Sequence, residues 1–330
     1  MMIDRRSFLA GATALALPTQ ARSTETERGR SVTDFGVEPN AERYQQDSLR
    51  KAIAEINAAG QPAYIPAGTY YINDLKLPPK CILNGDPGRT ILLPKRYGSV
   101  FIASKNSSLQ ISGIIFDGRA GKDSVQDMIM PLGLVTDGVL VVRECEFRNA
   151  LCGAISTLNV SAILTLNNFH DLNHGALSFN AARSVLIRQC HFEDCGSTDT
   201  DPRGCIYADG QDVQIADNFI FHCSAGIRVK GNGEIKGNTI SGPGAWGIKL
   251  GGGNDDAQTL LVNRNTISGC DVGIGLTQGA EILSIMKNTV TAASQGAIRA
   301  FDGATATGPD LALESAGTYP NLSLSGNLVR

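Results

Sequence analysis

The chain has 330 residues, of which 42% are hydrophobic and 18% charged, so it holds enough apolar material for a large core. Its formal net charge of −3 argues against a nucleic-acid-binding protein, because such proteins are normally basic. The 37 glycines against 13 prolines favour many tight turns over disorder.

Residues 1–21 have the pattern of an export signal. Arg5 and Arg6 precede a short apolar run, and small residues lead up to Ala21, where cleavage is expected. We predict a twin-arginine signal that the twin-arginine export machinery recognises, with an ordinary secretory signal as the alternative. The apolar run is too short to span a bilayer, and no later segment is predicted to span one. We therefore expect a periplasmic or secreted protein.

Residues 22–30 are polar and charged and are predicted to be a linker. One helix is then predicted over Asp47–Ala59, with Asp47 or Ser48 as its N-cap and Gly60 as its C-terminal stop. Its apolar residues recur at helical spacing: Leu49, Ala52, Ile53 and Ile56. A single amphipathic helix ahead of a repeat array is interpreted as its cap, so residues 31–95 are predicted to contain this cap and the first turns.

The rest of the chain repeats a short unit. In each unit an alternating apolar stretch is followed by an anchor Asn or Cys, and then by a Gly that opens a second strand. The eight anchors define seven intervals, and all but the last, of 39 residues, lie between 20 and 28 residues. This period is typical of a solenoid and predicts that residues 96–330 stack as parallel strands. The anchors are Cys145, Asn167, Cys190, Asn218, Asn238, Asn265, Asn288 and Asn327.

The repeat assigns most anchors and cysteines to structure. Parallel strands on successive turns lie about 4.8 Å apart, so the anchor Asn side chains are expected to hydrogen-bond in a ladder. The anchor and the next few residues are expected to form a turn. Cys195, Cys223 and Cys270 all fall five residues after an anchor and are predicted to be stacked core residues, with a Cys195–Cys223 disulfide as the alternative. No CxxC or Cys/His spacing suggests a metal site, and no cofactor is predicted.

Three segments resemble a known family. Val32-Thr33-Asp34-Phe35-Gly36 with Tyr64-Ile65-Pro66-Ala67-Gly68-Thr69-Tyr70, and later Ile111-Ser112-Gly113-Ile114-Ile115-Phe116-Asp117-Gly118, resemble the pectate-lyase-like superfamily. Combined with the twin-arginine signal, the chain is similar to the twin-arginine-translocated repeat proteins, a group without an assigned activity. The resemblance implies an all-β fold, a right-handed parallel β-helix with an N-terminal capping helix. Because the chain stops at an anchor, Asn327, and this family generally runs longer, we expect a C-terminally incomplete copy.

The repeat positions also predict which outward side chains are neighbours. Tyr207, Arg228 and Lys249 follow the Ile of the second strand on three successive turns, and Asn180, Asp209 and Lys230 lie two residues further on. Cations beside a Tyr and an Asp would neutralise the carboxylate of a uronate sugar, which acidifies the proton on the neighbouring carbon. A Lys, Arg or Tyr would then exchange that proton. The candidate catalytic residues are Arg228, Lys230, Asp209 and Tyr207, and the candidate substrate-binding residues are Lys249, Arg203 and Asn180. The alternative is a solvated polar face.

A second candidate cluster stands four residues after the anchors. Asp171, Asp194 and His222 occupy this position on successive turns and would bring two carboxylates near a histidine. The alternative is that these residues satisfy backbone groups at turns. The loop of residues 196–203 is expected to overhang the first patch and wall a groove.

Two classes of function remain open from the sequence. Arg228-Val229-Lys230 resembles the Arg-Ile-Lys of polygalacturonases, but their other catalytic segments are missing, which makes pectin hydrolysis unfavoured. The prediction is an exported solenoid that binds an acidic polysaccharide or is purely structural. The alternative is a polysaccharide lyase or uronate epimerase.

Overall fold

The computed structural model describes residues 28–94, 99–103, 107–118, 131–196, 203–251, 259–277, 282–313 and 321–330. The predicted signal with Arg5 and Arg6 lies outside the described residues, and so does most of the predicted linker. Of the loop of residues 196–203, which is predicted to wall a groove, only the two ends, Gly196 and Arg203, are among the described residues.

A short helical region precedes the strands. A 3-10 helix, Val32–Phe35, is followed by helix α1, Gln46–Ala58. The predicted apolar stripe is buried, and α1 packs against the first strands and the 3-10 helix, which confirms the capping helix. Gly60 has the left-handed φ of 74° that ends the helix, as predicted.

The predicted N-cap is wrong. The helix begins before Asp47, and the preceding Gln45 makes no capping bond. The side chain of Gln45 instead accepts a hydrogen bond from the Glu38 backbone N–H and donates one to the Glu38 carbonyl, at 2.7 and 2.6 Å. This tertiary contact fixes the entry of the chain, so the sequence signal for capping at Asp47 or Ser48 is overridden.

The described residues contain 28 strands. They are β1 Arg30–Ser31, β2 Ala63–Ile65, β3 Gly68–Tyr71, β4 Leu75–Lys76, β5 Lys80–Gly85, β6 Thr90–Leu93, β7 Phe101–Ala103, β8 Ser107–Ser112, β9 Ile115–Asp117, β10 Gly133–Arg143, β11 Glu146–Ala150, β12 Ile155–Thr165, β13 Asn168–Leu172, β14 Leu177–Ala182, β15 Ser184–Arg188, β16 His191–Cys195, β17 Ile206–Ala216, β18 Phe219–Phe221, β19 Ile227–Lys236, β20 Thr239–Ser241, β21 Trp246–Leu250, β22 Thr259–Asn263, β23 Thr266–Thr277, β24 Ile282–Met286, β25 Thr289–Asp302, β26 Thr305–Thr307, β27 Leu322–Ser325 and β28 Leu328–Val329.

These strands form three parallel ladders, one on each face of a coil. Face A contains the strands that lead up to the anchors, face B the strands directly after them, and face C the strands that follow the repeat glycine. The hairpin of β25 with β26 is the antiparallel exception among the described pairings. The prediction that a turn follows each anchor is therefore wrong in part. A short strand such as β13 lies at this position, so the coil has three faces where the sequence predicted two.

Two corner positions recur in the left-handed region of φ. The residue before each anchor from Glu144 to Gly326 has φ between 53° and 65°, and the residue four after each anchor from Asn149 to Ala292 has φ between 49° and 65°. These are the two ends of face B, where the chain must bend sharply. The coil thus uses single left-handed residues as its corners.

The core lies inside the coil. Phe101, Phe116, Phe147, Phe169 and Phe192 stack with successive ring centroids 4.7 to 5.1 Å apart. All eight cysteines are buried, which confirms Cys195, Cys223 and Cys270 as core residues. Cys195 and Cys223 are free thiols here, without the alternative disulfide. Within the described parts of the chain, no helix is both long and apolar enough to cross a membrane.

The anchor ladder is confirmed. In Asn238 the Oδ1 accepts from the backbone and side-chain N–H of Asn218 at 3.0 and 2.9 Å. Its Nδ2 donates to the carbonyl of Ile215 and to Oδ1 of Asn265, both at 2.9 Å. The same pattern runs from Cys145 to Asn327.

Candidate functional site

Face C brings the four predicted catalytic residues together. In the parallel pairing of β17 with β19, Tyr207 lies beside Arg228 and Asp209 lies beside Lys230. The glycine that opens each face C strand permits this close stacking: a Cβ on Gly226 would collide with the carbonyl oxygen of Gly247 on the next turn. The predicted neighbours are therefore confirmed, although their roles stay predictions. We call Tyr207, Asp209, Arg228 and Lys230 the face C patch.

The patch combines burial with opposite charges. Tyr207 is 9% exposed, whereas Asp209, Arg228 and Lys230 are half-buried. Burial and the neighbouring Asp209 carboxylate raise the pKa of the Tyr207 phenol above its usual range, against the opposing effect of the nearby arginines. The phenol is therefore protonated at neutral pH and serves as a hydrogen-bond donor.

Arg203 joins the patch from the start of the strand. Its guanidinium carbon lies 5.7 Å from the centre of the Tyr207 ring, within cation–π range, and its side chain is exposed. The structure thus places this predicted binding residue beside the predicted catalytic ones.

The prediction that Lys249 is an outward, solvent-facing residue is wrong. It pairs with Arg228 in register, but the hairpin of β25 and β26 covers it, and it is fully buried. Its Nζ donates to the Gly303 carbonyl at 2.9 Å and lies 4.8 Å from the Phe301 ring centre. The ammonium is thus held by a backbone oxygen and an aromatic ring, because the return of the chain after residue 301 closes over this turn.

Asn180, predicted to continue the column of Asp209, lies at a β-bulge, so no strand pairing fixes it beside Asp209. The pairing of β14 with β17 shifts register between Phe179 and Ala182, where Ala181 has a left-handed φ of 46°. The Asn180 amide instead donates to the Thr157 carbonyl and the Ser178 hydroxyl, at 3.1 and 3.2 Å. A β-bulge cannot be read from spacing alone, so the sequence could not predict this irregularity.

The second candidate cluster falls on a corner of the coil. Asp171, Asp194 and His222 are exposed and have left-handed φ values of 55°, 49° and 49°. Asn, Asp, His and Gly are the residues that best tolerate this region, so backbone geometry accounts for their presence. Asp171 accepts from the ring of His170 at 2.6 Å, and Asp194 and His222 line an open cavity of about 450 Å³. Their predicted acid–base role stays a prediction.

One group escaped the sequence reasoning. The sulfur atoms of Cys195, Cys205 and Cys223 all lie within 4.8 Å of one another in the core. Cys195 and Cys223 share a repeat position, but Cys205 opens a different strand face, so no linear spacing connects the three. Hydrogen bonds from Cys195 and then Cys205 lower the pKa of the Cys223 thiol, whereas burial raises the pKa of Cys205.

A family model described as "Right handed beta helix region" matches residues 132–279 and 203–309. No curated protein sequence matched the chain. Among solved structures, the Streptococcus pneumoniae surface protein and adhesin PfbA is similar at 12% identity and a TM-score of 0.58, over 91% of this chain and 97% of that one.

Two enzymes are also among the similar structures. A hyperthermoactive exopolygalacturonase from Thermotoga maritima matches at 11% identity and a TM-score of 0.52, over 90% and 91% of the two chains. The A-module of the Azotobacter vinelandii mannuronan C-5 epimerase AlgE4 matches at 16% identity and a TM-score of 0.48, over 91% of this chain and 95% of that one. At these identities the likeness concerns the fold. The family match, together with the adhesin and the exopolygalacturonase, confirms the predicted right-handed parallel β-helix.

Proposed function

The chain belongs to the right-handed β-helix family, and from that premise we propose that it binds an anionic polysaccharide along the outer side of face C. The observation that supports this proposal most directly is the register of β17 and β19, which sets Arg228 beside Tyr207 and Lys230 beside Asp209. Three cations, counting Arg203 over the Tyr207 ring, thereby share this part of face C with one carboxylate.

The chemistry of the patch suits a polymer of acidic sugars. A guanidinium binds a carboxylate or sulfate group in a two-pronged geometry, and a lysine adds a flexible positive charge. The protonated phenol of Tyr207 donates a hydrogen bond, and the carboxylate of Asp209 accepts one from a sugar hydroxyl. Because successive turns of a β-helix repeat about every 4.8 Å, these groups form a strip suited to an extended chain.

Binding is favoured over catalysis by the state of Tyr207. A lyase or epimerase needs a base that removes the proton next to the uronate carboxylate, and an efficient base has a pKa near the working pH. The raised pKa of Tyr207 moves the phenol away from that condition. The similar structures support no choice between these classes, since they include both an adhesin and sugar-active enzymes.

The test is a titration of the full chain with a soluble polyuronate, after a glycan-array screen has identified the preferred polymer. Arg228→Gln together with Lys230→Gln is expected to weaken binding by at least about 10-fold, because hydrogen bonds to charged groups contribute about 1.5–3 kcal/mol each. The matched control is Arg264→Gln with Lys287→Gln, an exposed pair on a corner away from face C that carries the same change in charge. Equal weakening by both pairs would show that net charge, and not the patch, governs binding.

The same samples distinguish catalysis. Ultraviolet absorbance from an unsaturated uronate product would replace the binding proposal with a lyase, and proton exchange at C5 without cleavage would replace it with an epimerase. Failure of every acidic polymer on the array to bind would overturn the proposal.

We also propose that the chain is exported by the twin-arginine route and acts in the periplasm or outside the cell. The support is the pair Arg5 and Arg6 ahead of a short apolar run. Arg5→Lys with Arg6→Lys is expected to hold the protein in the cytoplasmic fraction, whereas the control Arg22→Lys leaves export unchanged. Export of the double variant at the normal level would contradict the proposal.

A further inference from the structure

Three thiols converge at one corner of the core. Cys195, Cys205 and Cys223 are 1%, 0% and 2% exposed, and their sulfur atoms lie within 4.8 Å of one another. Cysteines stacked on one face are ordinary core residues. This trio differs because its third member comes from another face.

The fold accounts for the convergence. Cys195 ends face B on one turn, and Cys223 occupies the same repeat position on the next, with the Ser224 N–H donating to the Cys195 carbonyl at 3.1 Å. Cys205 stands at the start of face C, where its N–H donates to the Ala225 carbonyl at 2.8 Å. The corner between faces B and C therefore directs a sulfur from each of three chain segments to one point.

The donor set selects the kind of ion. Thiolates are soft ligands that favour Cu(I) and Zn²⁺ over hard cations. Zn²⁺ in a protein normally takes four ligands, and among the described residues no His or carboxylate joins this group. A monovalent copper ion with three sulfur ligands needs no fourth.

The distances also suit such an ion. With metal–sulfur bonds of about 2.3 Å, three sulfurs in a plane around one ion are about 4 Å apart. The upper limit of 4.8 Å on the sulfur–sulfur distances exceeds this value by less than about 1 Å, a difference that side-chain rotation within one rotamer well supplies. We propose that Cys195, Cys205 and Cys223 form a three-coordinate site for one Cu(I) ion.

The site has a route from the surface. An open cavity of about 450 Å³ is lined by Cys195 and Cys223, together with the exposed side chains of Asp194 and His222. A carboxylate and an imidazole at this entrance can make transient contacts with an incoming cation. The second candidate cluster of the sequence thereby gains an additional role that does not depend on acid–base catalysis.

The experiment is a titration of the reduced full chain with Cu(I) alone, under anaerobic conditions and in competition with a chromogenic Cu(I) chelator. We expect one tightly held Cu(I) per chain. X-ray absorption of the loaded protein should show three sulfur neighbours at about 2.3 Å, a measurement that requires no variant. Coordination by nitrogen or oxygen instead would overturn the site.

Variants locate the ion within the chain. Cys223→Ala is expected to weaken Cu(I) binding by more than the roughly 10–100-fold that loss of an outer partner costs. The matched control is Cys270→Ala, which removes a buried thiol at the same repeat position outside the trio and should retain binding. Circular dichroism checks that both variants fold. If Cys223→Ala does not fold, the X-ray absorption measurement, which requires no variant, tests the copper site.

Three other outcomes would overturn the proposal. One is equal Cu(I) binding by the wild-type chain and Cys223→Ala. Another is stoichiometric uptake of Zn²⁺ by protein that takes up no Cu(I). The last is a Cys195–Cys223 disulfide in the isolated protein whose reduction restores no copper binding.

Discussion

At the scale of the residue, each anchor asparagine replaces hydrogen bonds that the bend of the backbone leaves unmade. The amide of Asn238 serves a backbone N–H, a backbone carbonyl and two neighbouring side chains while fully buried. Spacing in the sequence predicts this ladder because parallel stacking is periodic. The same spacing could not reveal the bulge at Asn180, since a bulge changes register without changing the pattern of residue types.

Asn238→Ala tests the ladder. The substitution removes the hydrogen-bond partner of the buried Asn218 backbone N–H and of the Ile215 carbonyl. We therefore expect the free energy of unfolding to fall by about 2–4 kcal/mol. The measurement is urea denaturation. Asn327→Ala is the control, because Asn327 is half-exposed and water can replace its bonds, so its loss should be smaller. An equal loss in both variants would contradict a buried ladder.

At the scale of the element, the corners of face B decide which residue types are tolerated. Leu166 occupies a left-handed corner with φ 57° and is 44% exposed. A left-handed conformation costs an ordinary L-residue about 1–2 kcal/mol, and Asn tolerates it better. The sequence did not predict face B, because its strands are as short as Phe219–Phe221 and alternate too briefly to be told from turns.

Leu166→Asn is therefore expected to raise the free energy of unfolding by about 0.5–1 kcal/mol, the strain that the substitution relieves. Leu158→Asn is the matched control: Leu158 is similarly exposed, at 51%, but lies in the extended strand β12. Asn has a low strand propensity, so the control should be neutral or destabilising. Chemical denaturation of both variants gives the comparison, and a destabilised Leu166→Asn would argue against corner strain.

At the scale of the whole molecule, the coil needs protection at its N-terminal end. Helix α1 buries Leu49, Ala52, Ile53 and Ile56 against the first strands, where an open end would expose apolar side chains and unpaired strand edges. Further along face C, the hairpin of β25 and β26 folds back over Lys249. The face C patch is therefore limited to the turns before Lys249. The solenoid thus leaves the stretch around residues 203–230 accessible.

Ile53→Lys tests the cap. A lysine at this buried position should detach α1 and expose the end of the coil, so we expect concentration-dependent association on size-exclusion chromatography with light scattering. Ala54→Lys adds the same charge at the adjacent exposed position of the helix and should leave the protein unchanged. Monomeric behaviour of Ile53→Lys with α1 undocked would show that the end of the coil needs no cover.

The sequence by itself determined the solenoid, its anchor ladder, its capping helix and the pairing of Tyr207 with Arg228, because all of these follow from periodic spacing along one chain. The tertiary structure alone decided that Lys249 is buried, that a bulge interrupts the strand pairing at Asn180 and that three cysteines meet. Those outcomes depend on contacts between segments whose separation in the sequence carries no period: a hairpin folding back, a bulge and a corner shared by two faces.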